Sequence, residues 1–363
     1  MKRYRVDIYD RNFVFKDMGQ TSSPKVVVDY LVLEKSSCVI PKKINARRGD
    51  FGVVRGDDIL FYGIVVDYEY DGKTSTITFE QLTKLLDVEV FADANELTTK
   101  TIEQWMSDNL RQVYDGSDSF QNLTGMTITQ SSSTMGMYNY SDDGIYNLYD
   151  LTVHFFKTYG VICDISLNIV TKKVLFNFRQ VTVSVWKLET KVADVLDYTI
   201  KASTETENPN KMIFENELDR SQSITYYWHP TEFSGTVDTD GTVNRVVPVV
   251  SRCAIVQPQD EQLDSENNVV QEAKTFEQVA YEEAVNTMYQ SKYDDQIEIT
   301  FNTESKLIDI GVIGQLYVII DGDNQYPTML TGYQRLNDKH TLMTFGYVRT
   351  RLTQILKIER RKK

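Results

Sequence analysis

Residues 49–86 read "GDFGVVRGDDILFYGIVVDYEYDGKTSTITFEQLTKLL", and residues 314–356 read "GQLYVIIDGDNQYPTMLTGYQRLNDKHTLMTFGYVRTRLTQIL". Set one beneath the other, Gly49 falls on Gly314, Val53 on Val318 and Tyr68 on Tyr333. The turn Asp71-Gly72-Lys73 meets Asn337-Asp338-Lys339, and Phe79 meets Phe345. Leu82, Leu85 and Leu86 then meet Leu352, Ile355 and Leu356, and the gaps needed fall at turns or just ahead of this last segment. Both stretches spell strand, turn, long strand, hairpin turn, strand, short helix. Hairpins ending in short helices resemble one another in any protein, which is the competing explanation. A common order held over the whole of 49–86 favours two similar small β-barrels in one chain, each closed by its apolar i, i+3, i+4 triplet.

Outward from the first copy, residues 1–94 read almost wholly as short strands rich in β-branched and aromatic residues, separated by Gly or Asp-Gly turns. They form the expected first barrel with its closing helix. Residues 95–205 read as an α+β unit whose last strand is a candidate to return to that barrel. A capping box at Thr101 to Gln104 opens a helix that buries Ile102, Trp105, Met106, Leu110 and Val113. A long polar loop, Gly116 to Gly144, is the candidate partner-facing element and carries one strand, LTGMTIT. A second helix over GIYNLYDLTVHFFKTY stops at Gly160, and VICDISLNI with KKVLFNFR makes a hairpin. The polar KASTETENPNK marks a boundary. Residues 206–350 then supply the second barrel, with a helix at 275–289 opened by the box Thr275 to Gln278, and 351–363 a C-terminal helix and basic tail. The fold class is therefore mainly β with an α+β insertion.

The charge narrows the function. The chain of 363 residues carries −13, yet seven Lys and Arg against Glu359 make residues 342–363 positive by six, leaving −19 for the remainder. A body that acidic repels the phosphate backbone, which excludes nucleic-acid binding as the main task. Cys38, Cys163 and Cys253 are scattered and odd in number, which suits neither a disulfide framework nor a zinc site. The alternating N-terminus is a strand and not a signal peptide, and no apolar run is long enough to anchor the chain in a membrane.

No catalytic constellation stands out. His154, His229 and His340 are isolated from one another and from cysteine. Asp321-Gly-Asp-Asn324 and Asp142-Asp-Gly144 resemble fragments of calcium loops but lack the closing Glu or the right glycine position, and are read as turns. Acid pairs such as Glu282-Glu283 and Asp294-Asp295 would suit a glycosidase, although 52 acidic residues make such adjacency commonplace. Tyr138, Tyr140, Tyr146, Tyr149, Tyr226 and Tyr227 are read as strand packing before carbohydrate or protein contact. No catalytic, cofactor-binding or metal-binding residue is assigned.

Several strings, taken in order, resemble the tail-hub or tail-associated proteins of tailed bacteriophages. They are ITFEQLTKLLD, YGVICDI, NPNKMIFENELDRSQSITYYWHP, IEITF and YPTMLTGYQ with LMTFGYVRTRLTQILK. The family is similar in fold to the baseplate hub of contractile tails. The resemblance implies a structural virion protein and not an enzyme: a homotrimer whose paired barrels build a pseudo-sixfold ring at the tail tip. It implies a hexameric distal tail protein above, and tape-measure, receptor-binding or baseplate proteins as further candidate partners. It also implies genomic DNA passing without specific binding through a tube that opens for ejection, and assembly in the host cytoplasm. Longer relatives carry a C-terminal peptidoglycan hydrolase; this sequence ends soon after RLTQIL, so no lytic activity is expected. The rival readings are a cell-wall glycosidase of the tail tip and the hub of a contractile injection machine.

Overall fold

In the computed structural model the described residues are 3–56, 59–92, 96–97, 99–116, 122–123, 125–135, 144–201, 209–230, 235–242, 250–260, 262–263, 269–271, 273–288, 295–303, 305, 312–337 and 339–346. The expected closing triplet Leu352, Ile355 and Leu356 lies outside them, as do Tyr138, Tyr140, Asp142, Asp143 and Asp294.

The alternation seen in sequence becomes a curled sheet. It is built from β1 (Tyr4–Tyr9), β2 (Phe15–Thr21), β4 (Lys35–Ile40), β5 (Phe51–Arg55), β6 (Leu60–Tyr70) and β7 (Ser75–Gln81), with the short β3 (Val27–Asp29) between β2 and β4 in sequence. Its order is β2-β1-β5-β6-β7-β4. Inward residues of period two, among them Val6, Ile8, Phe61, Val65, Ile77 and Phe79, fill one core. After Gln81 the chain turns through Leu82–Leu86, which is a 3-10 turn and not an α-helix. Gln81 spends its side chain on the backbone of Asp29, so the turn has no N-cap, and Asp87 N–H closes it on Lys84 C=O.

The α+β unit holds β8 (Glu89–Phe91), α1 (Ile102–Tyr114), β9 (Met126–Gln130), β10 (Ile145–Asn147), α2 (Leu148–Tyr159), β11 (Val161–Asn168) and β12 (Lys173–Gln180). Helix α1 starts where the sequence predicts it, with Gln104 N–H donating to Thr101 Oγ1. Helix α2 starts later than predicted. Ile145 and Tyr146 are drawn into pairing with β8, and the Asn147 side chain caps the amides of Tyr149 and Asp150. The helix ends at Gly160, φ +65°, and β11 pairs with β12 along its whole length.

Strands β13 (Thr182–Glu189) and β14 (Val195–Lys201) correct the expectation that the end of this segment returns to the first barrel. They pair instead into the second sheet, with β21 (Gln296–Asn302), β22 (Gln315–Asp321), β23 (Asn324–Arg335) and β24 (His340–Phe345). The order is β13-β22-β23-β24-β21-β14, because β13 runs parallel to β22 while β14 runs antiparallel to β21. Between β14 and β21 sits a separate unit: β15 (Lys211–Asn216), β16 (Ser223–Pro230), β17 (Gly235–Asp238), β18 (Ser251–Val256), the small pair β19 (Gln262–Leu263) and β20 (Val269–Gln271), and α3 (Phe276–Met288). Thr275 and Gln278 form a reciprocal capping box at its helix, which lays Phe276, Ala280, Ala284 and Met288 on the four-stranded sheet β17-β16-β15-β18.

The internal match holds at the level of hydrogen-bond register. Gly49 and Gly314 both have positive φ, +89° and +81°, and each amide donates to the long strand that follows, at Val65 C=O and Leu330 C=O. Val65 faces Phe79 and Leu330 faces Phe345. One residue bulges next, Val66 or Thr331, after which Tyr68 faces Ile77 and Tyr333 faces Met343.

Candidate assembly surfaces

The feature that joins the two sheets is β3, a strap from the first half of the chain that adds antiparallel to β23, with Val28 opposite Tyr333. Tyr30 N–H donates to Thr331 C=O (3.0 Å) and Arg335 N–H to Val26 C=O (2.8 Å). Asp29 turns the strap by accepting the amides of Leu31 and Val32. Beyond it, the buried Tyr30 hydroxyl accepts Cys163 N–H at 2.7 Å, which ties the strap to β11. Burial pushes the Tyr30 hydroxyl and the Cys163 thiol well above their ordinary pKa values, so both stay neutral.

Arg335 completes this junction. Its guanidinium is buried, lies 4.9 Å from the centre of the Tyr4 ring and donates to the Tyr4 hydroxyl at 2.6 Å. The contact runs from β23 to β1 and so links the second sheet to the first. No sequence signal singled out Tyr4 or Arg335, because 331 residues separate them.

Outward surfaces are of a different character. Val185 and Trp186 on β13, and Leu196 and Tyr198 on β14, are exposed apolar or aromatic groups on the two end strands of the second sheet. Trp186 rests edge-on against Tyr317, and Tyr198 Oη donates to Asp321. Asp321 also accepts from Thr190, so the Asp321 to Asn324 stretch is a tethered turn with Gly322 at φ +63°. Among the described residues, no helix is long and apolar enough to cross a membrane.

The residues considered for chemistry lie apart. His154 sits on α2 beside Phe155, His229 bonds Asp238 at 2.8 Å, and His340 closes a turn with Asn337. Glu282 pairs with Lys274 and Glu283 accepts from Thr287. No cluster of three metal-ligating side chains occurs among the described residues. The triplet Leu82, Leu85 and Leu86 packs against the core of the α+β unit, with Leu82 and Leu86 buried and Leu85 partly so.

No protein-family profile matches the chain, and no curated protein matches it in sequence. Solved structures match it in shape. A tail protein from Neisseria meningitidis superposes with a TM-score of 0.51 at 12% identity, over 95% of this chain and 96% of that one. A chain of the phage P2 baseplate, in its activated conformation with Ca, gives 0.51 at 11% identity over 94% and 98%. The chain has a phage tail-hub-like fold. At these identities the likeness to tail proteins is one of architecture.

Proposed function

We propose that this tail-hub-like chain is a structural component of a phage tail tip: a homotrimer whose two barrels per subunit present a sixfold-looking face to a hexameric partner and a threefold face below. The observation that carries the reading is the shared register of β5-β6-β7 and β22-β23-β24, bulge included. Two sheets that share this three-strand register, joined by the strap, would give a trimer six similar units, and a closed ring needs such repeated surfaces. The exposed Trp186 and Tyr198 strands are the candidate ring contacts. The acidic body supports a bore that DNA traverses without sticking. In the same reading the protein is no enzyme, resides in the virion after assembly in the host cytoplasm, and divides into two barrels, the α+β unit and the inserted 211–288 unit. Leu82, Leu85 and Leu86, with Leu352, Ile355 and Leu356 as their counterpart, are proposed to seal the two barrels. The test is solution mass with low-resolution imaging: a threefold ring with a sixfold-looking face is expected, and a monodisperse monomer would overturn it. Robust turnover of peptidoglycan by the purified chain would overturn its non-enzymatic part.

A further inference from the structure

One bulged strand pair occurs three times. Val65, Asp67 and Tyr68 face Phe79, Thr78 and Ile77; Val195, Asp197 and Tyr198 face Phe301, Thr300 and Ile299; Leu330, Gly332 and Tyr333 face Phe345, Thr344 and Met343. In each the extra residue precedes an Asp or a Gly, and the following tyrosine turns its amide to the outer edge. In the two Asp copies that amide is already taken: Tyr68 N–H donates to Asp67 Oδ1 and Tyr198 N–H to Asp197 Oδ1, both at 2.9 Å. A related bulge on the end strand β2 repeats the device, with Met18 N–H on Asp17 Oδ1 at 2.7 Å.

The Gly copy is the one that carries a strand. At Gly332 the strap lies so close that a Cβ would stand 2.8 Å from Val28 O, nearer than real side chains come, and a tight 3.2 Å from Asp29 Cα. The Asp67 edge, beyond the end of β5, and the Asp197 edge have no strand on their outer side among the described residues. In these copies the carboxylate fills the acceptor role that a neighbouring strand's carbonyl would have.

We propose that the residue after the bulge decides which sheet margin accepts a strand: Gly332 opens β23 to the strap, and Asp67 closes the equivalent edge of β6 to the strap of a second copy. Bulges and charged side chains are general means of blunting sheet edges. Here one position within a repeated motif switches the outcome, and it confines strap pairing to the chain's own second barrel.

The test uses the full chain and a labelled peptide of residues 24–32, followed by fluorescence anisotropy. Asp67→Gly should bind the peptide about tenfold or more tightly than the unaltered chain, and should gain higher-mass species by light scattering. Asp67→Asn, which keeps the volume and an acceptor oxygen, should behave as the unaltered chain does. A peptide carrying Val28→Pro lacks the central amide and should not bind. Equal affinity of Asp67→Gly and the unaltered chain, or binding indifferent to that proline, would overturn the proposal. Gly332→Ala reads the other half independently: the Tyr30 amide, which donates to Thr331, should exchange at least about tenfold faster. An unchanged Tyr30 exchange rate would sink the assignment of Gly332 even if Asp67→Gly did not fold.

Discussion

Tyr4 and His154 show how single side chains couple this fold to its solvent conditions. Tyr4→Phe removes the hydroxyl that Arg335 donates to, leaving a buried guanidinium short of one acceptor. The expected loss is about 1–3 kcal/mol, since a buried donor bears its desolvation cost when its partner goes, and urea denaturation measures it. His154 tests the opposite sign of charge burial. Its burial, with Lys157 nearby, lowers its pKa to about 4. Below pH 6.5 the unfolded chain takes up a proton that the folded chain refuses until about pH 4. Stability is therefore lost as pH falls through that window, by at most about 3 kcal/mol, and by less because the residue is only half-buried. His154→Phe should flatten the urea midpoint between pH 7 and pH 5 relative to the unaltered chain. The cysteines separate by access: Cys38, whose thiol burial pushes up to about 12, and Cys163 should resist alkylation in the native protein, whereas exposed Cys253 should react. Mass mapping before and after denaturation checks this.

At the scale of elements, the paired glycines that open β5 and β22 make a matched experiment. Both sit at positive φ, where an alanine costs about 1–2 kcal/mol. A Cβ at Gly49 meets nothing within 4 Å, whereas one at Gly314 comes within 3.2 Å of Val181. Gly314→Ala should therefore destabilise more than Gly49→Ala in urea denaturation, and the reverse ranking would contradict the geometry. These glycines were legible in the sequence because each stands at a fixed distance from its long strand, as were the helix starts at Thr101 and Thr275, the Gly160 stop and the β11–β12 hairpin. What could not be read was pairing across distance. Val195, Asp197 and Tyr198 meet Phe301, Thr300 and Ile299 only after the whole 211–288 unit has intervened, so the third copy of the bulge has no local periodicity to announce it. The triplets Ile-Thr-Phe at 77 and 299 and Met-Thr-Phe at 343 were the available signal. Likewise β13 and β14 are neighbours in sequence, yet bond to opposite ends of one sheet. The short helix read at Leu82–Leu86 is a single 3-10 turn that buries Leu82 and Leu86.

For the whole molecule, charge opposes the proposed assembly, and that conflict can be measured. Each chain carries −13, and a ring of three concentrates three times that around one axis. Self-repulsion of this kind acts over roughly a Debye length, about 10 Å at 0.1 M salt and 30 Å at 0.01 M. If the contacts that close the proposed ring are the apolar strands bearing Trp186 and Tyr198, they gain nothing from low salt, while the repulsion between bodies grows as salt is removed. Assembly should then strengthen with ionic strength: raising sodium chloride from about 0.01 M to 0.1 M brings the screening length from beyond the width of a contact to within it. Light scattering at fixed protein concentration should move from the 41.9 kDa chain towards three times that mass across this range. A ring held by ion pairs would do the opposite and fall apart as salt rises. A salt-strengthened ring that Trp186→Ala dissolves would locate the contact on the second barrel's end strands, and one that survives Trp186→Ala unchanged would move it elsewhere.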